Sequence, residues 1–295
     1  MTVFIIYLLG FKAKREKTNK KNIIPKGEQY EVLKDRIMDL NENIQKLEYE
    51  DVWISSYDGL KLHGRYYPTE KHNTVDICFH GYRTNALRDF SGGITLLKNL
   101  DHDVIIVDER AHGESKGNTI TFGAKEKYDC ISWIKFCSNK FGENIPIFLY
   151  GISMGAATVI MASELQMPGN VKGIIADSPY SSAEEIILKV VTEHRIPKYA
   201  AKHLISAGTK IFGRFDLEEA NAVEAAKKTD LPILIIHGDA DKLVPCKMSE
   251  YIKKANIDKV ELYVFHGAGH GLSYLVDTER YSRIIKSFVD RCISI

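Results

Sequence analysis

From Tyr49 onward, short apolar segments alternate with segments long enough to form helices. Six of the apolar segments have the length and composition of buried strands: Val75–Phe79, Val104–Val107, Ile147–Tyr150, Val171–Ala176, Ile233–Ile236 and Val260–Phe265. Strands that alternate with helices predict right-handed crossovers and a mostly parallel sheet covered by helices on both faces. The fold class that this pattern predicts is therefore α/β.

Two further strands and a closing helix complete the pattern. Val52–Ser56 and Leu60–Tyr67 flank the dipeptide Asp58-Gly59, which is a strong signal for a β-hairpin. Near the end of the chain, apolar residues recur at the spacing of one helix face. The residues of this stripe are Tyr281, Ile284, Ile285, Phe288 and Cys292.

The segment between Ala176 and Leu231 is longer than a crossover requires. It contains more than fifty residues, whereas about a dozen suffice to connect parallel strands. Its apolar content is also too high for a solvated loop: Ile186, Ile187, Val190, Val191, Tyr199, Leu204, Ile205, Ile211 and Phe212. We therefore expect a small helical cap at about residues 179–222, inserted before the strand Ile233–Ile236 and lying over the carboxyl ends of the strands.

The first 48 residues form a predicted N-terminal segment, followed by a main domain at residues 49–295. Val3–Phe11 is almost entirely apolar, and a basic sequence follows it up to Lys21. A helix of that length spans roughly 14 Å, against ~30 Å for the hydrocarbon core of a bilayer, so it cannot cross a membrane alone. Three interpretations stay open: a frayed apolar tail, a surface anchor formed by residues 3–21, or the end of a membrane helix whose upstream part is absent.

A second pattern lies between Glu28 and Glu48, where charged residues are dense. Apolar residues recur every three to four positions, which predicts an amphipathic helix that lies outside the main domain or against it. These apolar positions are Val32, Ile37, Leu40, Ile44 and Leu47.

Composition and charge exclude several classes of protein. Hydrophobic residues make up 44% and charged residues 27% of the chain, a globular composition that excludes disordered and fibrous proteins. Forty Lys and Arg against thirty-nine Asp and Glu give a net charge of +1, so we expect no nucleic-acid partner. Five scattered cysteines without a Cys-x-x-Cys pair argue against a disulfide framework or a zinc knuckle. We expect a cytoplasmic protein, with membrane attachment through the N-terminal segment as the open alternative.

Candidate chemistry begins at Gly151-Ile152-Ser153-Met154-Gly155, between the strand Ile147–Tyr150 and a helix-forming sequence. A Gly-x-Ser-x-Gly motif in this context is typical of a nucleophile elbow. The turn is so tight that side chains two residues from the serine would collide, which explains the glycines. The turn also holds the hydroxyl at the amino end of a helix, where a developing negative charge is favoured. Ser153 is therefore the candidate nucleophile.

A serine hydroxyl needs a base and an orienting acid to become a nucleophile. In strand–elbow–helix architectures, the chain order is nucleophile, acid, base. Asp239 and Asp241 follow one strand, and His270 lies in a glycine-rich loop after the last strand. All three lie at carboxyl ends of strands, on the same edge of the sheet as Ser153. His270 is therefore the candidate base, and the acid is Asp239 or Asp241.

These motifs together resemble α/β-hydrolases, and they are similar to those of bacterial serine esterases and the serine-aminopeptidase or monoglyceride-lipase-like group. The resemblance extends from about Val52 to Ile293. It rests on FHGYRTN at 79–85, VDERAHGES at 107–115, GISMG at 151–155, HGDADKLVP at 237–245 and GAGHG at 267–271. It implies a triad of Ser153, Asp241 and His270, in which Asp239 only caps a turn.

The resemblance also implies an oxyanion hole made of the backbone N–H groups of Tyr82 and Met154. The ring of Tyr82, with Leu272 and cap residues, is expected to line the substrate pocket. Arg110 is expected to brace a loop rather than to take part in chemistry. The same bracing role is expected for the histidines of the His-Gly turns, which are His80, His112, His237 and His266.

The function implied by the resemblance is that of a serine hydrolase. It would cleave carboxylic esters through an acyl-enzyme, with no metal and no organic cofactor, and its substrates would be small esters or short acyl compounds or peptides. Aminopeptidase and thioesterase activity stay open, and an aminopeptidase would use Glu184, Glu185 or Glu193 to bind the substrate ammonium. A different class also stays open, namely a non-catalytic ligand-binding protein on the same fold.

Overall fold

The structure, a computed structural model, describes residues 1–14, 27–193 and 197–294. Within these residues, eight strands form one sheet in the order β1-β2-β4-β3-β5-β6-β7-β8. The strands are β1 (Glu50–Ser55), β2 (Lys61–Tyr67), β3 (Val75–Phe79), β4 (Asp103–Val107), β5 (Ile147–Ile152), β6 (Val171–Asp177), β7 (Ile233–Gly238) and β8 (Val260–Phe265). β2 runs antiparallel to β1 and β4, and the other pairs are parallel.

Helices connect the strands and cover both faces of the sheet. They are α1 (Thr2–Gly10), α2 (Glu28–Glu31), α3 (Lys34–Gln45), α4 (Ala86–Asp89), α5 (Ser91–Lys98), α6 (Glu126–Phe141), α7 (Met154–Ala162), α8 (Ala183–Glu193), α9 (Lys198–Gly208), α10 (Ala222–Ala226), α11 (Lys247–Ala255), α12 (Ser273–Val276) and α13 (Thr278–Ile293). The α/β prediction is confirmed, and the predicted strands differ from the observed ones by at most two residues at either end.

The two apolar layers follow from the alternation of side chains along each strand. In β5, Ile147 and Leu149 pack in the layer that contains Trp133 of α6. Phe148, between them, packs in the opposite layer with Phe288 of α13. Because both faces of the strand are buried, its residues are apolar without interruption.

The N-terminal helix α1 packs against the inserted helices rather than ending in solvent. Tyr7 and Phe11 are buried, and Gly208 of α9 lies so close to α1 that a Cβ there would be 3.2 Å from Val3 O. The interpretation as a frayed tail is therefore wrong. In the described part of the chain, no helix is both long and apolar enough to span a membrane. The basic residues at positions 15–21 lie outside the described residues.

The amphipathic segment that follows is two helices rather than one. α2 ends at Glu31 and α3 begins at Lys34, and Val32 between them is 86% exposed, contrary to its predicted place on the apolar face. Ile37 and Ile44 of α3 are buried against the main domain. The break comprises residues 32 and 33, and Tyr30 lies in α2. We call residues 28–45 the strap.

Helices also occupy the insertion. After β6 come α8 and α9, a π-helical turn at Thr209–Gly213 and a 3₁₀ turn at Leu217–Glu219. A backbone hydrogen bond from Ala183 N–H to Ala220 O closes the base of the insertion. The assignment of residues 179–222 as a cap, and the domain boundary after residue 48, stay predictions.

Candidate active site

Ser153 lies in a sharp turn between β5 and α7. Its backbone has φ 56° and ψ −111°, a strained conformation for a residue with a side chain. The turn is possible only because its flanks are glycine. A Cβ on Gly151 would lie 2.3 Å from the backbone of Gly155, and a Cβ on Gly155 would lie 2.0 Å from Phe79 O. The Ser153 N–H donates to Asp177 O at 2.8 Å, which ties the turn to β6.

The structure brings Ser153, His270 and Asp241 together. His270 Nε2 lies 2.9 Å from Ser153 Oγ, and His270 Nδ1 lies 2.6 Å from Asp241 Oδ2. These contacts join residues that are 117 and 29 positions apart in sequence. Because the Asp241 carboxylate accepts a hydrogen bond from Nδ1–H, the unprotonated Nε2 is free to accept a hydrogen bond from the Ser153 hydroxyl.

The Asp241 side chain is fixed from several directions. Its Oδ1 accepts the N–H groups of Leu243 at 2.9 Å and Val244 at 2.8 Å. Burial alone would raise the pKa of Asp241, but hydrogen bonds from His237 and His270 outweigh it and hold the pKa well below its usual range. Asp241 is thus ionised next to His270 at neutral pH.

Asp239 has a different environment, although it lies only two residues away. Its side chain contacts His266 Nδ1 at 2.8 Å and accepts the Gly267 N–H at 2.7 Å. Both contacts lie in an exposed turn, and His266 is almost fully exposed. Of the two aspartates left open by the residue pattern, the one beside His270 is Asp241.

The His237 side chain contacts the Asp241 carboxylate and a neighbouring backbone carbonyl. Its Nε2 lies 2.9 Å from Val244 O and 3.2 Å from Asp241 Oδ2. Since both of these atoms are acceptors, Nε2 carries the proton, and Nδ1 accepts from Ser249 Oγ at 2.6 Å. The bracing contact with a neighbouring loop matches the expectation for this histidine. Its contact with the candidate acid was not anticipated.

The backbone N–H groups of Met154 and Tyr82, the two expected oxyanion donors, have different surroundings from their neighbours. Met154 is the first residue of α7, so its N–H has no acceptor within the helix. In the loop after β3, the N–H groups on either side of Tyr82 are occupied: Gly81 N–H donates to Asp89 at 2.8 Å, and Arg83 N–H donates to His112 at 3.1 Å. For the Tyr82 N–H, no acceptor is present among the described residues.

Two buried histidines hold this loop. His80 and His112 stack edge to face with ring centroids 4.8 Å apart. His80 accepts the Glu109 N–H at 3.1 Å, and burial, with the nearby His80, lowers the pKa of His112 to about 3. Arg110 pairs with Asp129 at 2.6 Å and Asp58 at 3.0 Å. These contacts fit a bracing role, and none of the three side chains contacts Ser153 in the described structure.

A cavity of about 540 Å³ opens beside Ser153 and His270. Tyr82 and Leu272 line it, as expected, but none of the described residues of the predicted cap does. The strap supplies the wall instead, because it packs across the loop that carries His270. The strap residues in this wall are Gln29, Tyr30, Ile37 and Leu40. The apolar stripe of α3 indicates a covered face, but nothing in the sequence connects that face to this cavity.

Tyr30 links the strap directly to the candidate base. Its hydroxyl donates to the backbone carbonyl of His270 at 2.9 Å. Burial, with the charge of Asp241 as the second cause, raises the pKa of Tyr30 to about 12, so the hydroxyl stays protonated as a donor. No sequence motif indicates this contact, because 240 positions separate the two residues.

A second buried network lies at the end of β6. Asp177 accepts hydrogen bonds from Tyr281 Oη at 2.8 Å and Ser178 Oγ at 2.9 Å, and the Tyr150 and Tyr281 hydroxyls contact each other. Ser178 Oγ in turn accepts the Gly271 N–H at 3.4 Å. The network therefore connects α13 to the residue after His270. Its signal in the sequence is an aspartate at the carboxyl end of a buried strand.

The three glutamates considered for binding an ammonium group lie elsewhere. Glu184 pairs with Lys202 at 2.9 Å, and Glu193 pairs with Lys189 at 2.9 Å. Glu185 accepts a hydrogen bond from Ser181. In the described structure, none of these three glutamates lines the cavity beside Ser153.

Comparisons with known proteins indicate the superfamily of this chain. A serine aminopeptidase (S33) family matches residues 70–210. The chain is 26% identical over 254 residues to the Bacillus subtilis protein YqkD, covering 85% of this chain and 83% of that protein. It is also 26% identical over 263 residues to monoglyceride lipase of Rattus norvegicus, covering 77% and 86% of the two chains.

Solved structures of hydrolases also match this chain. An esterase of Pyrococcus furiosus, Pf2001, matches with a TM-score of 0.69 and 25% identity, covering 96% of this chain and 99% of that one. The chain therefore belongs to the α/β-hydrolase superfamily. Within it, the chain is an esterase- or lipase-like hydrolase.

Proposed function

We propose that this protein is a serine hydrolase that cleaves carboxylic esters through an acyl-enzyme. One observation carries the proposal: Ser153 Oγ, the His270 ring and the Asp241 carboxylate form a continuous line of hydrogen bonds of 2.9 and 2.6 Å. Such a line converts a weakly acidic hydroxyl into a nucleophile. The esterase activity named for Pf2001 and the lipase activity named for the rat relative support an ester as substrate.

In the first step, Ser153 Oγ attacks the ester carbonyl carbon while His270 Nε2 takes its proton. Asp241 stabilises the resulting imidazolium through Nδ1. The N–H groups of Tyr82 and Met154 donate to the oxyanion. The bond between the carbonyl carbon and the alcohol oxygen then breaks, and His270 Nε2–H donates its proton to the leaving oxygen.

In the second step, water attacks the acyl-enzyme and gives its proton to His270. The bond between the carbonyl carbon and Ser153 Oγ breaks, the acid leaves, and His270 returns the proton to Ser153. The largely apolar walls beside the serine, which include Leu40, Leu272 and Leu275, suit an acyl chain. Aminopeptidase and thioesterase activity use the same steps, but no free carboxylate among the described cavity residues favours an ammonium substrate: Asp89 and Asp177 already accept hydrogen bonds.

The proposal is tested with a fluorophosphonate probe and p-nitrophenyl esters. We expect the wild-type chain to be labelled, and Ser153→Ala to abolish labelling and to lower ester turnover by several orders of magnitude. His270→Ala should lower turnover by a similar factor. Ser132→Ala is the matched control, since the Ser132 hydroxyl donates to Tyr128 O on α6, away from the site.

The same assay separates the alternatives. Esters of graded acyl length are compared with acyl thioesters and peptide p-nitroanilides, and a preference for either of the latter two reassigns the substrate class. An unlabelled wild-type chain without turnover of any of these substrates would favour a ligand-binding protein. Full turnover by purified Ser153→Ala protein would contradict the proposed mechanism.

A further inference from the structure

The outer face of α1 is an exposed apolar surface. Residues one turn apart on this helix divide between two sides: Tyr7 and Phe11 are buried, whereas Phe4, Leu8 and Leu9 are exposed, Leu9 at 63%. The π-helical turn after α9 extends the exposed side, because the Phe4 and Phe212 rings lie with centroids 4.9 Å apart. We define the α1 surface as the exposed residues Phe4, Ile5, Leu8, Leu9, Ile211 and Phe212.

Basic side chains border the α1 surface. Lys12 and Lys14 follow directly after the helix, and Lys210 and Arg214 lie on either side of Ile211 and Phe212. Lys210 pairs with Asp216 at 2.8 Å. For Lys12, Lys14 and Arg214, no ion-pair partner is present among the residues that the structure describes. Unpaired cations next to exposed apolar side chains complement anionic lipid headgroups above a hydrocarbon layer.

We propose that the α1 surface docks this protein onto the face of an anionic lipid bilayer. In this arrangement α1, from Thr2 to Gly10, lies along the interface with its exposed side toward the lipid. The apolar side chains enter the boundary between headgroups and acyl chains. The flanking lysines and Arg214 stay at the level of the headgroup phosphates. An exposed contiguous apolar surface of this kind marks an interaction site on a soluble fold.

The docking surface is connected to the candidate active site. The Tyr82 hydroxyl donates to Gly10 O, the last residue of α1, at 2.7 Å, and Arg83 donates to Lys12 O at 3.2 Å. The Phe122 ring lies between Phe11 and Tyr82, at centroid distances of 5.5 and 4.8 Å. Docking would therefore hold the loop after β3, which carries Tyr82, near the bilayer. The inference about substrate rests on the proposed function: it extends the proposed substrates to esters that reside in a membrane.

The test measures binding without substrate, so its outcome does not depend on hydrolysis. The full chain is sedimented with vesicles of phosphatidylcholine, with and without phosphatidylglycerol. We expect binding to the anionic vesicles, weakened by added salt. Leu9→Glu combined with Ile211→Glu should weaken it about tenfold or more, because two carboxylates would enter the interface. Lys12→Gln combined with Lys14→Gln should weaken binding to anionic vesicles only.

Two controls make the result specific. Ile257→Glu places a carboxylate on an exposed apolar residue ahead of β8, outside the α1 surface, and Ser153→Ala removes the candidate nucleophile. Both should bind like the wild-type chain. The Leu9 and Ile211 variant should retain turnover of a soluble short ester, which shows that it folds.

Absence of binding to anionic vesicles would overturn the proposal, and so would binding that the Leu9 and Ile211 variant leaves unchanged. A wild-type dimer that this variant dissociates, without vesicle binding, would assign the surface to a second copy of the chain and would also overturn it. Vesicle binding in a chain that hydrolyses no ester would support docking and refute the proposed function alone.

Discussion

Asp239 and Asp241 are identical side chains, two positions apart, that lie in different environments. Asp241 is buried and contacts His270 at 2.6 Å, whereas Asp239 contacts His266 in an exposed turn. We predict that Asp241→Asn lowers kcat/KM for a short ester by about 10⁴-fold, because the amide favours the wrong tautomer of the base. Asp239→Asn should change kcat/KM by less than about threefold, since exposed pairs contribute little.

Steady-state kinetics on both variants check this prediction. Thermal denaturation is the control for folding, because the Asp241 carboxylate also accepts two backbone N–H groups. A larger loss of activity in Asp239→Asn than in Asp241→Asn would reverse the assignment of the acid.

At the scale of residues, the sequence predicts which side chains are candidates for the chemistry better than it predicts which residues those side chains contact. Gly151 and Gly155 identify the elbow because each glycine is required by a specific backbone approach. The position of His270 after the last strand follows from chain order. The choice between Asp239 and Asp241 cannot be derived from residue type, because it depends on which carboxylate receives the N–H groups of its own loop.

At the scale of elements, the short helix α2 is predicted to position His270. We expect Tyr30→Phe to lower kcat about fivefold with little change in KM, because the ring remains in the cavity wall while one hydrogen bond is lost. The rate of fluorophosphonate labelling should fall by the same factor. Tyr274→Phe is the matched control: Tyr274 lines the same cavity, and its hydroxyl contacts no hydrogen-bond partner among the described residues.

The contrast between kcat and KM decides the role of Tyr30. A raised KM with unchanged kcat would mean that the hydroxyl contacts substrate and does not position the base. Equal losses in Tyr30→Phe and Tyr274→Phe would mean that the cavity tolerates no loss of a hydroxyl, and would contradict a specific role for Tyr30.

The elements themselves are well predicted where burial is continuous. The strands of the sheet and α13 follow from apolar periodicity, because buried faces repeat at the period of the element. For the strap, the pattern predicts an amphipathic helix but neither its break nor its position, since a stripe such as Ile37 and Leu40 shows that a face is covered but not by which surface. The contact of Tyr30 with His270 joins residues 240 positions apart, and local propensity contains no information about it.

At the scale of the whole molecule, the N-terminal residues approach the candidate site from two directions. α1 contacts the loop after β3 through Gly10 and Tyr82, and the strap contacts the loop of the candidate base through Tyr30. The main domain therefore supplies the candidate reacting groups, while the N-terminal residues contact the loop after β3 and the loop that carries His270. Sequence patterns separate these two parts of the chain, but only the folded structure shows that they share one cavity.

Glu109 provides a whole-molecule prediction about stability and pH. Its carboxyl is fully buried, and neither oxygen has a hydrogen-bond partner among the described residues. Burial, with the nearby Glu126 and Asp129 as further causes, raises its pKa well above the usual range, so folding takes up a proton once the unfolded chain has lost it. Stability should then fall by up to ~1.4 kcal/mol per pH unit above about pH 4.3, until the native pKa is reached.

Glu109→Gln keeps the shape without the charge, so denaturant unfolding should show a more stable protein at pH 8 and little change at pH 4. Glu114→Gln, an exposed position in the same loop, should alter neither value, and a Glu109→Gln protein that is less stable at pH 8 would contradict a neutral native carboxyl.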